Sequence, residues 1–365
     1  MDLDRALDGD AMARLLGARS CTPRYVRFQP GRRLLVLYDL DGELAHLTIF
    51  KPQRTERLWA RVRGSRLAQR MPELGGVLQR FPLDVRLPGL AVAALDGDLV
   101  RYKPGRRAVF RFAGAYGKLR ADEAGAAHVT VARELIAHGI HTPAPLEYRP
   151  ELGMALYEEV RGTRLATLRG GGLEGWMEPV AATLAQLHAT PAAALRAHSM
   201  AAELADLYAA AETATALGAP ALDLAAALAD RLTEIAPLPA VTIHGSFHDD
   251  QVLVASGDGS RRDHAGALGD DRVTLVDLDS AARGDPRLDV GHFAAYLTAA
   301  GEDAARERFL AACDAGPEVL VFEAAALLRW SSLPFRDLER GWRAAVAHRV
   351  ELARQRLASS VITAS

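Results

Sequence analysis

The 365-residue sequence has only two cysteines, Cys21 and Cys313, which lie far apart along the chain. Two distant cysteines do not make a disulfide framework, so we expect a reducing, cytoplasmic location. The first residues, Met-Asp-Leu-Asp-Arg, lack the basic and then apolar pattern of a secretion signal. The sequence also lacks an uninterrupted apolar run of the roughly 18 residues that a membrane-spanning helix needs. We therefore expect neither disulfides nor a membrane span.

The sequence also has no large excess of positive or negative charge. The chain has 44 basic and 46 acidic residues, and its formal net charge is -2. This balance disfavours nucleic acid or an anionic membrane as the main partner, because both attract strongly basic proteins. An anionic small molecule would have to be bound by local groups of arginine and lysine. The length permits two or three domains, and we expect a monomer or a homodimer.

A sequence pattern occurs twice in the first 150 residues. Residues 24–38 and 99–112 each contain a strand-like run, a Pro-Gly-Arg-Arg turn and a second strand-like run. Another short strand follows each copy and leads to a lysine, Lys51 or Lys118. Two copies predict a duplicated β-unit rather than a solenoid. Arg32 and Arg33, in the first turn, are predicted to be solvated, because arginine beside Pro-Gly needs no ligand.

Two further stretches, 241–254 and 273–289, carry most of the chemistry. Each begins with a β-branched, apolar run typical of a buried strand, and each run ends in polar residues. Polar side chains just past a strand end are typical of active sites. The two stretches together contribute a group rich in the oxygen ligands that suit Mg²⁺, namely His244, His248, Asp249, Asp250, Gln251, Asp277 and Asp279.

These stretches resemble the paired motifs of the aminoglycoside phosphotransferase-like branch of the protein-kinase-like superfamily. The family pattern His-Gly-Asp-x-x-x-x-Asn is similar to residues 244–251, His-Gly-Ser-Phe-His-Asp-Asp-Gln. The family's strand aspartate and Gly-Asp-Pro-x-x-Asp are matched by Asp277 and by residues 284–289. The end of the first motif and the extra N-terminal unit are also similar, more weakly, to maltokinase-type members.

The resemblance implies an α+β, bilobal protein-kinase-like fold. A small β-rich N-lobe at 91–160 would precede a mainly helical C-lobe at 161–365. Residues 1–90 would form an extra β-containing cap unit, an internal duplicate of the N-lobe hairpin. ATP or GTP with Mg²⁺ would then be the expected cofactors.

The resemblance also implies roles in nucleotide binding. Lys118 would contact the α- and β-phosphates, and a glutamate of the next helix, for which Glu123 is the candidate, would hold it. The turn with Arg106 and Arg107 would cover the phosphates. Glu158 and Val160 would lie along the adenine or guanine ring of the nucleotide, at the hinge between the lobes. The metal would be held by Gln251, Asp277 and Asp279.

Two positions depart from the family pattern: Ser246 replaces the catalytic aspartate, and Gln251 replaces the asparagine. A serine hydroxyl is not a base near neutral pH, so Asp249 or His248 would have to accept the proton, with Asp250 on the same loop as a further candidate. The function implied is phosphoryl transfer to a hydroxyl group of a small molecule such as a sugar or an aminoglycoside. Two alternatives stay open: a pseudokinase that binds nucleotide or metabolite, and a kinase-like fold with non-phosphoryl chemistry in metabolite biosynthesis.

Overall fold

The computed structural model describes residues 2–122, 124–255 and 272–362. It begins with two short helices, α1 (Leu3–Leu7) and α2 (Gly9–Leu16). An aspartate precedes each helix and caps it, since the side chains of Asp2 and Asp8 accept hydrogen bonds from backbone N–H groups of the first turn. The two helices lead directly into the first sheet.

The first sheet has five antiparallel strands in the order β1-β2-β3-β5-β4. Helix α3 (Pro52–Val62) connects its third and fourth strands. The strands are β1 (Cys21–Gln29), β2 (Arg33–Leu40), β3 (Glu43–Phe50), β4 (Ala68–Met71) and β5 (Gly76–Arg80).

The second sheet repeats this topology, with the order β6-β7-β8-β10-β9. Helix α4 (Leu90–Asp96) precedes it, and α5 (Gly125–Ala137) takes the place that α3 has in the first sheet. The strands are β6 (Asp98–Lys103), β7 (Arg107–Phe112), β8 (Ala115–Arg120), β9 (Pro145–Arg149) and β10 (Met154–Glu158). The repeat therefore covers five strands and a helix, more than the hairpin seen in the sequence.

The strand register shows which residues of the two copies are equivalent. Arg33 is opposite Phe50 in the first sheet, and Arg107 is opposite Arg120 in the second. Two residues before these partners lie Thr48 and Lys118, which are therefore equivalent. Lys51 lies beyond the end of β3, so its apparent match to Lys118 in the sequence is not a structural match.

The rest of the described chain is mainly helical, with five short strands. The helices are α6 (Met177–Ala189), α7 (Met200–Ala216), α8 (Leu222–Glu234), α9 (Arg287–Ala300), α10 (Asp303–Ala312), α11 (Val319–Arg329), α12 (Leu333–Arg336) and α13 (Trp342–Ile362). Strands β11 (Thr163–Arg164), β13 (Val252–Ala255) and β14 (Arg272–Leu275) form one small sheet, and β12 (Val241–Ile243) pairs with β15 (Ala282–Gly284).

Strand β2 connects two of the hydrophobic cores. Its residues are buried on both faces, as expected for a continuous apolar run rather than an alternating one. Leu34 and Val36 belong to the core shared with the helices, whereas Leu35 and Leu37 belong to the core shared with the second sheet. The first sheet therefore packs between the second sheet and the helices, and it is not a peripheral attachment.

No helix within the described residues is both long enough and apolar enough to cross a membrane. The cytoplasmic location and the monomeric or dimeric state stay predictions.

We expect Gly291→Ala to destabilise the protein. A Cβ at this position of α9 would lie 2.6 Å from Cβ of Phe322 and 2.8 Å from the backbone nitrogen of Glu323, so helix α11 would have to move. Overpacking of this kind typically costs about 1–3 kcal/mol of unfolding free energy. Gly64→Ala is the matched control, because a Cβ there meets nothing within 4 Å, and we expect a change within about 0.5 kcal/mol. Equal denaturant midpoints for the two variants would contradict this account.

Candidate active site

A cleft of about 1520 Å³ runs between the second sheet and the helices. Its walls are the turn between β6 and β7, strand β8, helix α5 and the segment after β10. Its floor is formed by the loop 245–251, the loop 276–281 and part of α9. The two sequence stretches that carry the motifs therefore meet in one cavity.

The loop that follows β12 is held by Asp289 of α9. The Asp289 carboxylate is buried and accepts hydrogen bonds from the backbone N–H of His244 at 2.7 Å and of Gly245 at 2.8 Å, while Nε2 of His188 lies 3.1 Å away. Gly245 has a φ of +75°, and a Cβ there would lie 2.3 Å from the carbonyl oxygen of Ser280. Only glycine fits this turn.

The loop also joins the second motif directly. The His244 imidazole donates from Nε2 to the carbonyl oxygen of Val276 at 3.1 Å, and the Val276 N–H donates to the carbonyl of Gln251 at 2.9 Å. Phe247 is fully buried and stacks on Phe293 with ring centroids 4.9 Å apart. Its neighbour Ser246 is half-buried and lines the cleft.

The centre of the site is a group of five charged side chains. Both Asp277 oxygens lie 3.1 Å from the guanidinium of Arg107, and Asp277 also accepts from Lys118. The Lys118 ammonium lies 2.6 Å from Asp279, which is also paired with Arg120. We call Lys118, Arg107, Arg120, Asp277 and Asp279 the cross-lobe charge group. Lys118, Arg107, Asp277 and Asp279, selected from the sequence, thus come together at one point.

Asp277 is held in an unusual state. Its φ of 62° lies in the left-handed region, which is uncommon for a residue other than glycine and is often found at functional sites. Burial by itself would raise the pKa of Asp277, but Lys118 and Arg107 outweigh it and hold the pKa well below its ordinary value. The carboxylate is therefore ionised throughout the physiological range.

The sequence interpretation missed Arg120 and His128. Arg120 is on the same face of β8 as Lys118, and the period of two in a strand would have indicated this. His128 of α5 lines the cleft, with Nδ1 3.9 Å from Asp279. Burial, only partly offset by Asp279, lowers the pKa of His128, so it is neutral at pH 7. Glu123, the predicted partner of Lys118, lies outside the described residues. Within the described residues, Asp277 and Asp279 pair with the lysine.

The predicted hinge follows β10. Glu158 and Val160 both line the cleft. The Glu158 backbone N–H donates to the carbonyl of Ala144 at 2.9 Å, and its carboxylate accepts from the Ala144 N–H at 3.1 Å. The turn residue Arg106 also lines the cleft, at the opposite wall.

Gln251 has an amide oxygen that is free to bind a cation. The residue is 8% exposed and lines the cleft, and its Oε1 is buried without a hydrogen-bond partner among the described residues. Buried acceptors normally have a partner, so this oxygen suits a ligand. Within 2–122, 124–255 and 272–362, no group of three or more His, Cys, Asp or Glu side chains could hold a metal by itself. Mg²⁺ that also binds phosphates needs only one or two protein ligands.

The two residues predicted to replace the catalytic base have other contacts. Asp249 is fully buried, and its two oxygens accept from Arg169 at 2.7 and 2.8 Å. His248 lines the cleft but stacks on Tyr296, with ring centroids 4.1 Å apart, and burial lowers its pKa to about 3. Trp330 meets Tyr296 edge-on at 4.7 Å, so these rings form an aromatic patch in the cleft.

Comparison with known proteins places the chain in a family. The model of the phosphotransferase enzyme family matches residues 99–328. The chain belongs to this family. No curated protein matches the chain.

Solved structures agree with this family in their fold. A choline/ethanolamine kinase family protein from Mesorhizobium loti is 18% identical, with a TM-score of 0.50 over 74% of this chain and 95% of that one. Choline kinase LicA from Streptococcus pneumoniae is 11% identical, with a TM-score of 0.50 over 74% of this chain and 96% of that one. The prediction of an α+β, bilobal protein-kinase-like member of the aminoglycoside phosphotransferase-like branch is confirmed. The similarity to maltokinases stays a prediction.

Family membership supports phosphoryl transfer to small molecules as the general chemistry. Both family motifs lie on the floor of the cleft, where the loop after β12 meets the loop after β14. Family membership does not identify the metal, the acceptor or the effect of Ser246. These depend on the local geometry of the site.

We expect Asp289→Asn to loosen the loop after β12. An amide nitrogen in place of one oxygen would face a backbone N–H, and losing such a buried partner costs about 1–3 kcal/mol. Burial would raise the pKa of Asp289, but His188 and His244 lower it below its ordinary value. A lowered pKa adds stability that is present above the unfolded-state pKa of about 4 and is lost as pH falls through the folded-state pKa.

Unfolding free energies measured between about pH 7 and pH 2 check this prediction. The difference between wild type and Asp289→Asn is expected to be largest near neutral pH and to shrink below about pH 4. Asp230→Asn, on the exposed side of α8, is the control and is expected to stay within about 0.5 kcal/mol of wild type. A difference that does not change with pH would show that the Asp289 charge is not the cause.

Proposed function

We propose that this protein is a Mg²⁺-dependent O-phosphotransferase that uses ATP or GTP and acts on a hydroxyl group of a small molecule. The observation that carries the proposal is the cross-lobe charge group. Three cations of the second sheet face two carboxylates of the loop 276–281, and all five are at least half-buried. A magnesium-bound triphosphate supplies a cation for the carboxylates and an anion for the lysine and arginines.

The cleft offers a place for each part of such a nucleotide. Glu158 and Val160 would lie along the base, and Lys118 with Arg107 and Arg120 would bind the phosphates. Arg106, which was expected to cover the phosphates together with Arg107, has no ion pair with Asp277 or Asp279 among the described residues, and we leave it out of the phosphate site. Magnesium would be held by Asp277 and the free Oε1 of Gln251, and it would neutralise the charge that develops on the transferred phosphoryl group. Asp279, the second carboxylate of the group, would also face the magnesium.

The acceptor would bind in front of Ser246. Its hydroxyl group can accept a hydrogen bond from Ser246 or donate one to it, which positions it for in-line attack. Asp249 is occupied by Arg169 and His248 is a very weak base, whereas the third candidate, Asp250, lines the cleft with an oxygen 3.5 Å from Arg164. A general base typically contributes about 10²–10⁴-fold, so we infer slow transfer that depends on positioning.

A second candidate function is a pseudokinase that binds nucleotide without turnover. Ser246 favours it, and so does the neutral His128 on the helix face where the family has a glutamate. The two candidates agree on nucleotide binding and differ only in whether a phosphoryl group is transferred.

We expect Asp277→Asn to remove the effect of magnesium on ATP binding. In the wild type, Mg²⁺ should strengthen ATP binding, because it relieves the repulsion between Asp277 and the phosphates. In the variant, metal-free ATP should bind as well as in the wild type or better, since Lys118 and Arg107 lose a competing carboxylate. Calorimetric titration with and without Mg²⁺ checks both points. Asp303→Asn, an exposed carboxylate of α10, is the control and should behave as wild type. Magnesium enhancement that persists in Asp277→Asn would disprove the metal role.

We expect Ser246→Asp to accelerate ATP turnover, because it restores a carboxylate where the acceptor or a water molecule would bind. The expected gain in the rate of ADP release is about 10²-fold or more. Ser246→Asn is the matched control, since it has nearly the same size but no basic oxygen, and it should give no gain. If both variants bind ATP and neither turns it over faster, Ser246 does not lie at the transfer position.

A further inference from the structure

A second group of cations lines the cleft at the end next to the first sheet. Arg27 and Arg33 come from β1 and β2, and Arg86 comes from the connection after β5. Lys103 and Arg106 come from the end of β6 and the turn that follows it. We call these five residues the basic cluster. Three chain segments therefore direct like charges to one part of the cavity.

The basic cluster has no anionic partner in the part of the chain that the structure describes. Arg33 and Lys103 are each only 8% exposed, and Nε of Arg33 is buried without a hydrogen-bond partner. In the cross-lobe charge group, by contrast, every cation is paired with Asp277 or Asp279. An unpaired buried cation is destabilising, and proteins rarely keep one without a ligand.

Nearby carboxylates are already occupied. Asp84 is buried and accepts from the Tyr102 hydroxyl at 3.0 Å and the Gly105 N–H at 2.6 Å. These contacts hold the turn at Gly105 next to the Arg86 side chain. A Cβ built on Gly105 would lie 3.6 Å from Cδ of Arg86. Asp337 is paired with its neighbour Arg336 at 3.0 Å. Within the described residues, neither carboxylate forms an ion pair with a side chain of the cluster.

Burial and neighbouring positive charges lower the pKa values of Lys103 and Arg33. Burial, together with Arg336 and Arg107, lowers the pKa of Lys103 to about 7. Burial and Arg27 lower the pKa of Arg33 to about 10. A bound anion would reverse both shifts, because an opposite charge nearby favours the charged form of each side chain.

We propose that the basic cluster is a second anion-binding site, which takes a phosphate, sulfate or carboxylate group of a ligand other than the nucleotide. The site has other residues than those proposed to bind the nucleotide phosphates: Arg107 pairs with Asp277, whereas its neighbour Arg106 has no ion pair among the described residues and lines the cleft together with Arg27 and Arg33. Two of its cations belong to the first sheet, which contributes nothing to the cross-lobe charge group.

The position of the cluster indicates what else this ligand contacts. Arg336, Tyr296 and Trp330 line the same cleft as the cluster. A ligand with an anionic group at the cluster can therefore place a ring against Tyr296 and Trp330. Identifying this ligand as the acceptor rests on the proposed function, whereas the anion site does not. The same charge would repel a polycationic acceptor such as an aminoglycoside.

Titration of the full chain with inorganic pyrophosphate, without metal or nucleotide, tests the proposal. Arg33→Gln and Lys103→Gln should each weaken pyrophosphate binding by about tenfold or more, since each removes a charge-assisted contact. Arg32→Gln is the matched control, because Arg32 is exposed, lies next to Arg33 in the same turn and does not line the cleft. It should change binding by no more than about twofold. The absence of measurable binding to the wild type would overturn the proposal.

Lys118→Met distinguishes this site from the nucleotide phosphate site proposed at Lys118, Arg107 and Arg120. Pyrophosphate binding should persist in Lys118→Met, and saturating ADP should not compete with it. Loss of binding in Lys118→Met with no change in Arg33→Gln would assign the anion to the nucleotide site and overturn the proposal. Should ADP fail to bind while Arg33→Gln still abolishes pyrophosphate binding, the proposed function would fail and the anion site would stand.

Melting temperatures exclude unfolding as the cause of lost binding. Both Arg33→Gln and Lys103→Gln should melt at or above the wild-type temperature in the absence of ligand, since each removes an unpaired buried charge. A marked fall in both variants would mean that the cations stabilise the fold without a ligand, and would count against the proposal.

Discussion

The cross-lobe charge group is the interaction on which the site depends. Three cations and two carboxylates meet in a half-buried space, where charges cannot be separated at low cost. They can, however, exchange partners. A ligand that brings both a divalent cation and phosphates offers each member a new partner of opposite sign, and a ligand with only one of these leaves charges unpaired. Under the proposed function, the geometry would therefore favour a metal-bound polyphosphate over either component alone. The ion pairs also couple the position of the second sheet to that of the helical part.

The duplicated sheet gives the same turn two different environments. Arg107 begins β7 and pairs with a carboxylate. Arg33, which begins β2 at the equivalent place, is buried at the cleft wall and has no ion pair among the described residues, and its Nε lacks a hydrogen-bond partner there. The difference follows from packing. Strand β2 is covered on both faces, by the helices on one side and by the second sheet on the other, so its first residue is carried into the interior. The first sheet, which has the same topology as the second, thus adds cations to the cleft but does not repeat the pairing with Asp277 and Asp279.

Much of the fold and part of the site could be predicted from the sequence, and the difference between the two is physical. The motif strands, the duplicated turn and the meeting of Lys118 with Asp277 follow from local patterns and from the family resemblance. The burial of Arg33 could not be predicted, since a Pro-Gly-Arg-Arg turn has the same local pattern whether or not another layer covers it. The pairing of Asp249 with Arg169 joins residues 80 positions apart, and no local pattern indicates such a contact. Arg120 was missed for a simpler reason, because β8 continues two residues past Lys118.

The loop with Ser246 keeps the geometry of a phosphotransfer site while lacking its base. Asp289 fixes two backbone N–H groups of this loop, Gly245 makes the close turn, and the buried Oε1 of Gln251 has no hydrogen-bond partner among the described residues. Phosphoryl transfer draws most of its acceleration from alignment and charge neutralisation, and a general base adds about 10²–10⁴-fold to that. Replacing the base therefore removes the smaller contribution and leaves the larger one in place. Under the proposed function, a slow transferase therefore fits the described residues better than a pseudokinase, because the elements that would hold the donor, the metal and the acceptor contact one another.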